Sequence, residues 1–412
     1  MNLNGFDTGE GFSTTPAFIE RANKVLIGNY ARTNVVMVKG EGAQLWDSTG
    51  KRYVDFFAGF GGSILGHANA DLIKAAVEQA SQLWAVGNTY HSIPQVKLGE
   101  WLNKSAFEGK AFFCHSGLEA NEAAVKLARL RGLANGGKRW KTVSLMKSFH
   151  GRSLAMIAAT GNPAIKEGFG PAVPGFTNVD PNDLDALVKA VDDETCCVIM
   201  EPIQGEGGVN LYPDGHIAKV RKFCDEHGLT LIFDEVWTGC GRTGKWFGHQ
   251  HFTDNGRVIE PDIMTIGKAI GGGLPVGVMY ARPEIAKLMV PGKHGCTLGG
   301  NLICMNVART IFDVIERDHL LDAAKRLGDL LIKSLRTDPR VVNKIKEVRG
   351  RGLFIGIELH EEPKDFLAKA LENGVILNVT AKKVVRIAPP MNLTPKEFDE
   401  GLEKTMKTIV EV

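Results

Sequence analysis

The sequence predicts an α/β protein: a large domain built on a mostly parallel sheet covered by helices on both faces, plus a smaller α+β domain. Three observations predict it. Between about residues 70 and 310, helical patterns alternate with five short apolar runs, Ala111 to Cys114, Thr142 to Leu145, Cys197 to Met200, Thr230 to Phe233 and Ile263 to Ile266. Nearly continuous apolar runs of this kind mark strands covered on both sides, as in parallel sheets. The chain has 412 residues, enough for two or three domains with a substantial core. Beyond about residue 310, strand and helix patterns mix in a shorter span, which predicts the smaller domain.

Taken in order, residues 1–54 read as a loose arm followed by short strands. Val35 to Val38 leads into a Gly-Glu-Gly turn and then Gln44 to Asp47, and Ser48-Thr49-Gly50-Lys51 turns the chain into Tyr53 to Phe56. Residues 1–58 are expected to pack with the small domain, 59–309 to form the large domain and 310–412 the small one. In the large domain the run ending at Cys114 meets Ser116-Gly117 and then a helical pattern reaching Arg129. In the small domain a long helical segment precedes Leu353 to Glu358, a further helix, Val375 to Leu377 and Val384 to Ile387. No solenoid-length repeat and no low-complexity tract is visible.

Composition narrows the function classes. A net charge of +2, with no basic stripe interleaved with aromatics, gives no case for nucleic acid. No stretch approaches the roughly 18 consecutive apolar residues of a membrane span. The seven cysteines include no C-x-x-C pair, and Cys196-Cys197 lies in an apolar run, as expected of buried thiols in a reducing compartment. The N-terminus carries polar and acidic residues where a signal peptide needs basic and then apolar ones, so a cytoplasmic enzyme is expected.

The chemistry-bearing residues fall at the carboxyl ends of the expected strands, where ligands collect in such sheets. Lys268 stands between the run Ile263 to Ile266 and the glycines Gly271-Gly272-Gly273. A desolvated lysine loses its charge readily and becomes a nucleophile toward aldehydes. A surface lysine at a strand end is the plainer alternative. Asp234 closes the run Leu229 to Phe233, where its carboxylate suits a protonated ring nitrogen; a metal site or helix cap would use the same Asp234-Glu235 pair. No histidine lies at short regular spacing to that pair, so no metal is expected there. Ser116-Gly117 opens a helix, where free N–H groups attract a phosphate, although an ordinary serine cap has the same sequence. Together Lys268, Asp234 and Ser116-Gly117 look like the Schiff-base lysine, the pyridinium partner and the phosphate cradle of a pyridoxal phosphate enzyme. Phe149 would either stack on a ring or pack in the core, and Arg152 and Arg386 could each fork onto a carboxylate.

In this order the motifs become specific. Leu45 to Asp47, Asp55-Phe56 with Leu65 to His67, Ser116-Gly117 with Glu119 to Glu122, and Phe149 to Arg152 are followed by Glu201-Pro-Ile-Gln-Gly-Glu206-Gly-Gly. Asp234 to Val236, Gly241 to Gly244, Gly267-Lys268 and Thr297 with Gly299 to Asn301 complete the set. Over nearly its whole length the chain resembles the class III (subgroup II) aminotransferases of pyridoxal phosphate fold type I. Leu377 to Thr380 with Val385-Arg386 and Pro389-Pro390 resembles the acetylornithine branch in particular.

The resemblance implies a ping-pong transaminase moving the terminal amino group of N-acetylornithine to 2-oxoglutarate. It implies a homodimer with active sites at the subunit interface. Ser116 and Gly117 would bind the phosphate with Thr297 of a neighbouring subunit. Phe149 and Val236 would flank the ring, Asp234 would pair with its nitrogen and Lys268 would hold it covalently. Arg386 would take the α-carboxylate of glutamate or 2-oxoglutarate, Arg152 that of the donor, and Tyr30 would stand near the latter. Glu206 would pair with Arg386 while the donor is bound, unless the pair is a plain structural salt bridge. Trp237 and Leu118 depart from the family pattern, which usually has Gln and then Thr or Ala at these places. Phe60 would give an apolar wall suited to an acetamido tail, since burying a free ammonium unpaired is costly. Ornithine, succinyl-diaminopimelate and 4-aminobutyrate transamination, an aminomutase, and a catalytically inactive ligand-binding relative remain alternatives. A dinucleotide-binding oxidoreductase is disfavoured because no expected strand leads into G-x-G-x-x-G.

Overall fold

The alternation of apolar residues along single strands shows how the centre of the molecule is organised. In the computed structural model, which describes residues 15–412, Cys197 and Ile199 face one side of a sheet while Val198 and Met200 face the other. Successive side chains of a strand point to opposite faces, so an all-apolar strand needs cover on both. One cover is the helix Gly117–Leu133, whose Ala123, Ala124, Leu127 and Ala128 pack with Cys197, Ile199, Ile232 and Ile263. The other includes the helix His216–His227, with Val220, Phe223 and Cys224 against Val198, Leu231 and Phe233. Alanines along one helix face let the first helix lie close to the sheet.

The sheet has seven strands, in the order Lys110–Cys114, Gly277–Ala281, Ile263–Ile266, Thr230–Asp234, Thr195–Met200, Lys141–Leu145 and Phe176–Val179. Gly277–Ala281 runs antiparallel to both neighbours and the remaining pairings are parallel. The mostly parallel sheet is therefore as expected. The antiparallel strand and the outer strand Phe176–Val179 are not among the apolar runs that the sequence pattern marks. Gly277 lies opposite Cys114, and a Cβ there would sit 2.1 Å from the Ser116 carbonyl oxygen, so this strand passes directly under the turn that opens the helix. Cys114, Asp234 and Ile266 end at one edge of the sheet, because their strands point the same way.

A four-stranded antiparallel sheet forms from Ile345–Arg351, Phe354–Leu359, Val384–Ile387 and Asn378–Thr380. Another contains Met37–Glu41, Gln44–Asp47 and Arg52–Asp55, with Val375–Ile376 added in parallel to the last. The C-terminal helix Pro395–Glu411 begins at a capping box, in which Thr394 accepts from the Glu397 N–H and Glu397 reaches back to the Thr394 N–H. Its Gly401 leaves room for the Phe56 ring, which a Cβ would meet at 2.0 Å. Phe56 is fully buried, and replacing it with alanine is expected to cost about 3–5 kcal/mol. The first fourteen residues of the expected N-terminal arm lie outside the described residues, and the arm continues as a helix, Thr15–Val25, with no buried residue. All seven cysteines are free, six of them buried. Among the described residues no helix is long and apolar enough to cross a membrane.

Candidate active site

At the shared strand edge lies a cavity of about 400 Å³, lined among others by Ser116, Gly117, Phe149, Arg152, Asp234, Val236 and Lys268. That volume lies in the range of small-molecule sites. Ser116 has the extended backbone of a helix cap; its Oγ accepts from the Glu119 N–H at 3.2 Å and lies 3.1 Å from Glu119 Oε2, to which it donates. At Gly117 a Cβ would meet the Val236 methyls at 2.5 Å, and at Gly267 it would stand 3.0 Å from the Gly117 nitrogen. The backbone of the helix start is thus bare by necessity.

Asp234 is buried and fixed by three hydrogen-bond donors. Its Oδ2 accepts from Asn121 Nδ2 at 2.7 Å and from His150 Nδ1 at 2.8 Å, and its Oδ1 from the Val236 N–H at 3.0 Å. Asn121 is itself held by Thr265, whose hydroxyl donates to its Oδ1 at 2.7 Å. An ionised carboxylate offers about four lone-pair positions, so three bonds leave one for a donor in the cavity. Glu235, the next residue, is held elsewhere by Gly248, His249 and Thr238. His249, remote in sequence, therefore does reach Glu235, as a hydrogen-bond partner.

Lys268 follows Ile266 and Gly267 at the start of a short 3-10 turn, with φ at +46°. A side chain at positive φ is strained, a cost accepted where position matters. Its Nζ lies 4.6 Å from the centroid of the Trp237 ring. Burial pushes its pKa below the usual lysine value, opposed by the carboxylates of Glu206 and Asp234. An amine so placed is the more readily neutral.

The third group is an ion pair. Arg386 is fully buried; its Nη1 donates to Glu206 Oε1 and its Nη2 to Asn378 Oδ1, both at 2.9 Å. Its guanidinium lies 4.4 Å from the Trp237 ring and 5.2 Å from that of Phe57. Burial lowers the Arg386 pKa, with Glu206 opposing. Burial also disfavours charge on Glu206, but Arg386, together with Lys268 and the Trp237 N–H, holds the carboxyl below the usual range. Trp237 Nε1 donates to the same Glu206 Oε1 at 3.2 Å, so the indole N–H belongs to the ion pair. Space for the indole is left by Gly61 and Gly205, where a Cβ would meet it at 2.7 and 2.5 Å. Leu118, the other departure, packs against Gly151, whose Cβ would lie 2.5 Å from Leu118 Cδ1.

Ser116, Gly117, Phe149, Arg152, Asp234, Val236 and Lys268 thus come together, with Glu206 and Arg386 adjoining. Arg152 is exposed, 5.6 Å from the Phe149 ring, and has no ion-pair partner among the described residues. A second cavity, of about 550 Å³, shares Phe149 and Arg152 with the first and is also lined by Glu206. Tyr30, Phe60 and Thr297 are exposed in the single chain and do not line the first cavity; Phe60 packs edge-on against Phe57 with ring centres 4.8 Å apart. Asn121, His150 and Glu201 carry no assigned role in the sequence reading. Buried Glu201 accepts from the Phe149 and Gly205 N–H groups, and burial together with the nearby Asp234 charge pushes its pKa up to about 7. A usable signal was a polar Asn121 on an alanine-rich helix face and an acid directly after the apolar run ending at Met200.

Comparison with known proteins fixes the class. The profile of the family Aminotransferase class-III matches residues 27–409. The chain is 40% identical to an acetylornithine aminotransferase of Caldanaerobacter subterraneus, over 92% of this chain and 96% of that protein. It is 41% identical to one of Aquifex aeolicus, over 92% and 97%. In structure it is similar to the ornithine aminotransferase of Toxoplasma gondii, with a TM-score of 0.92, 30% identity and coverage of 100% and 98%. The chain belongs to the class III aminotransferases; it is a transaminase, and pyridoxal phosphate is its cofactor. The cavity fits that group: a bare helix start for a phosphate, a carboxylate with one free lone pair, and a buried amine of lowered pKa.

Proposed function

We propose that this chain transfers the terminal amino group of N-acetylornithine to 2-oxoglutarate, giving N-acetylglutamate semialdehyde and glutamate. The observation that carries this reading is the contrast between two guanidiniums, Arg152 open at the junction of two cavities and Arg386 buried and closed by Glu206. A donor reacting at its terminal amine keeps its α-carboxylate far from the reacting end, where Arg152 takes it, with Tyr30 nearby. Arg386 then needs its own counter-ion, because an uncompensated buried guanidinium is costly. The acceptor brings an α-carboxylate to the reacting end, and Glu206 yields Arg386 to it. Phe60 lends an apolar wall to the acetamido tail.

Pyridoxal phosphate, when bound, supplies an electron sink for the negative charge left by deprotonation at the reacting carbon. Ser116 and Gly117 would hold its phosphate, Phe149 and Val236 would confine its ring, and Asp234 would keep its nitrogen protonated. Lys268 Nζ would move the proton between the reacting carbon of the substrate and the carbon of the cofactor that carries the transferred nitrogen. The exposed Trp84, Tyr90, Ile93 and Leu298 support a homodimer. Asn88 donates to the Cys296 and Gly299 carbonyls and Asn301 to the Trp84 carbonyl, so these apolar residues gather around the loop that carries Thr297. In that dimer Thr297 reaches the phosphate of the second copy.

Comparing kcat/KM for N-acetylornithine, ornithine, succinyl-diaminopimelate and 4-aminobutyrate tests the substrate. The acetylated donor should lead ornithine by at least about tenfold, as a buried unpaired ammonium requires. A preference for ornithine or 4-aminobutyrate would overturn the reading.

A further inference from the structure

Beside the cofactor turn, and independent of the transamination reading, three side chains of different ligand chemistry converge. His115 Nδ1 lies 3.2 Å from Glu119 Oε1 and 3.3 Å from Cys296 Sγ, and Cys296 Sγ lies 3.8 Å from Glu119 Oε1. Among the described residues this is the one group of three or more such donors close enough to share an ion. Bond lengths of zinc to nitrogen, oxygen and sulfur in a tetrahedral site place the nitrogen and oxygen roughly 3.4 Å apart, and the sulfur roughly 3.5 Å from each. The three separations observed lie close to those edges.

The arrangement is fixed from outside the triad. Glu119 Oε2 already accepts from the His115 N–H at 2.8 Å and from Ser116 Oγ at 3.1 Å, which leaves Oε1 turned to the other two donors. The loop with Cys296 is held by Asn88, which donates to the carbonyls of Cys296 at 3.1 Å and Gly299 at 2.8 Å. Gly299 permits the fold-back: a Cβ there would stand 2.8 Å from Cys296 Sγ and 2.3 Å from the Phe113 carbonyl. Cys296 is also the least buried of the seven thiols.

We propose that His115, Glu119 and Cys296 form a binding site for a divalent zinc-class cation, with a water in the fourth position. Imidazole, carboxylate and thiolate in one tetrahedral set select zinc over the hard cations that require oxygen ligands. Binding displaces the proton of the Cys296 thiol to solvent and ties the strand end bearing Ser116 to the loop bearing Thr297.

Equilibrium dialysis of the pyridoxal-phosphate-loaded protein against micromolar zinc, followed by elemental analysis, should find one zinc per chain. X-ray absorption at the zinc edge should show one sulfur neighbour at about 2.3 Å. His115→Asn and Cys296→Ser should each raise the dissociation constant by at least about 100-fold, the upper end of what losing a mere outer-shell partner costs. Zinc should raise the Tm of the unaltered protein and of neither variant. No retained zinc, zinc without a sulfur neighbour, or binding in both variants equal to that of the unaltered protein would leave only a hydrogen-bonded triad and overturn the proposal.

Discussion

Two carboxylates line adjoining cavities and are held in opposite ways. Asp234 is anchored by an amide, an imidazole and a backbone N–H, within a chain of bonds that extends through Asn121 to Thr265. Its side chain is 3% exposed, whereas that of Glu206 is 29% exposed and held mainly by the charge of Arg386 and the indole N–H of Trp237. Mutually supporting bonds from several buried donors keep a carboxylate in place whatever ligand arrives. An ion pair at a cavity wall can be exchanged when a ligand offers a better carboxylate. The first arrangement suits a permanent partner of a cofactor and the second a counter-ion that changes with the substrate.

The largest expected effect lies between the two. Lys268→Ala should lower steady-state turnover by more than about 10⁴-fold, the upper range of a lost acid–base group. Residual transamination near the normal rate would show that neither carboxylate serves the assigned amine. On the permanent side, Asp234→Ala should leave the His150 and Asn121 donors unpaired, at about 1–3 kcal/mol each, and lower Tm as well as activity. A full loss of activity with unchanged Tm would separate chemistry from anchoring. On the exchangeable side, Glu206→Ala should slow the single-turnover half-reaction with N-acetylornithine about tenfold more than that with glutamate, as loss of a charge-assisted bond implies. Equal losses in both halves would remove the distinction between the carboxylates. Trp237→Phe keeps a ring beneath Arg386 and removes only the N–H, so the same asymmetry should appear at a few-fold, about 1 kcal/mol.

The smallest effect concerns Glu201, beside the permanent network. Its pKa is raised from 4.5 to about 7, so between those values the folded chain binds more protons than the unfolded one. Stability therefore falls as pH rises through that window and levels off above it. Relative to Glu201→Gln, the Tm of the unaltered protein should decline from about pH 4.5 to about 7 and no further. A difference that stays flat across the window would place the Glu201 pKa near that of an ordinary carboxylate.

The pattern of residues along the chain is enough to place those at the carboxyl ends of the strands. Nearly continuous apolar runs define strands covered on both faces, and Ser116, Asp234 and Lys268 follow directly from where those runs end. It did not disclose that Gly277–Ala281 runs against its neighbours, since strand direction leaves no mark on an apolar run. Nor did it disclose the partners of the two carboxylates. Asn121 and Asp234 are 113 positions apart, and Glu206 and Arg386 are 180 apart. That the Trp237 N–H meets Glu206, and that His115 and Cys296 lie side by side, follows from the packing of the folded chain. The physical reason is that local pattern is set by backbone geometry and burial of each segment. Hydrogen bonds between distant segments depend on which strand edges and loops the packed sheet brings to the same place.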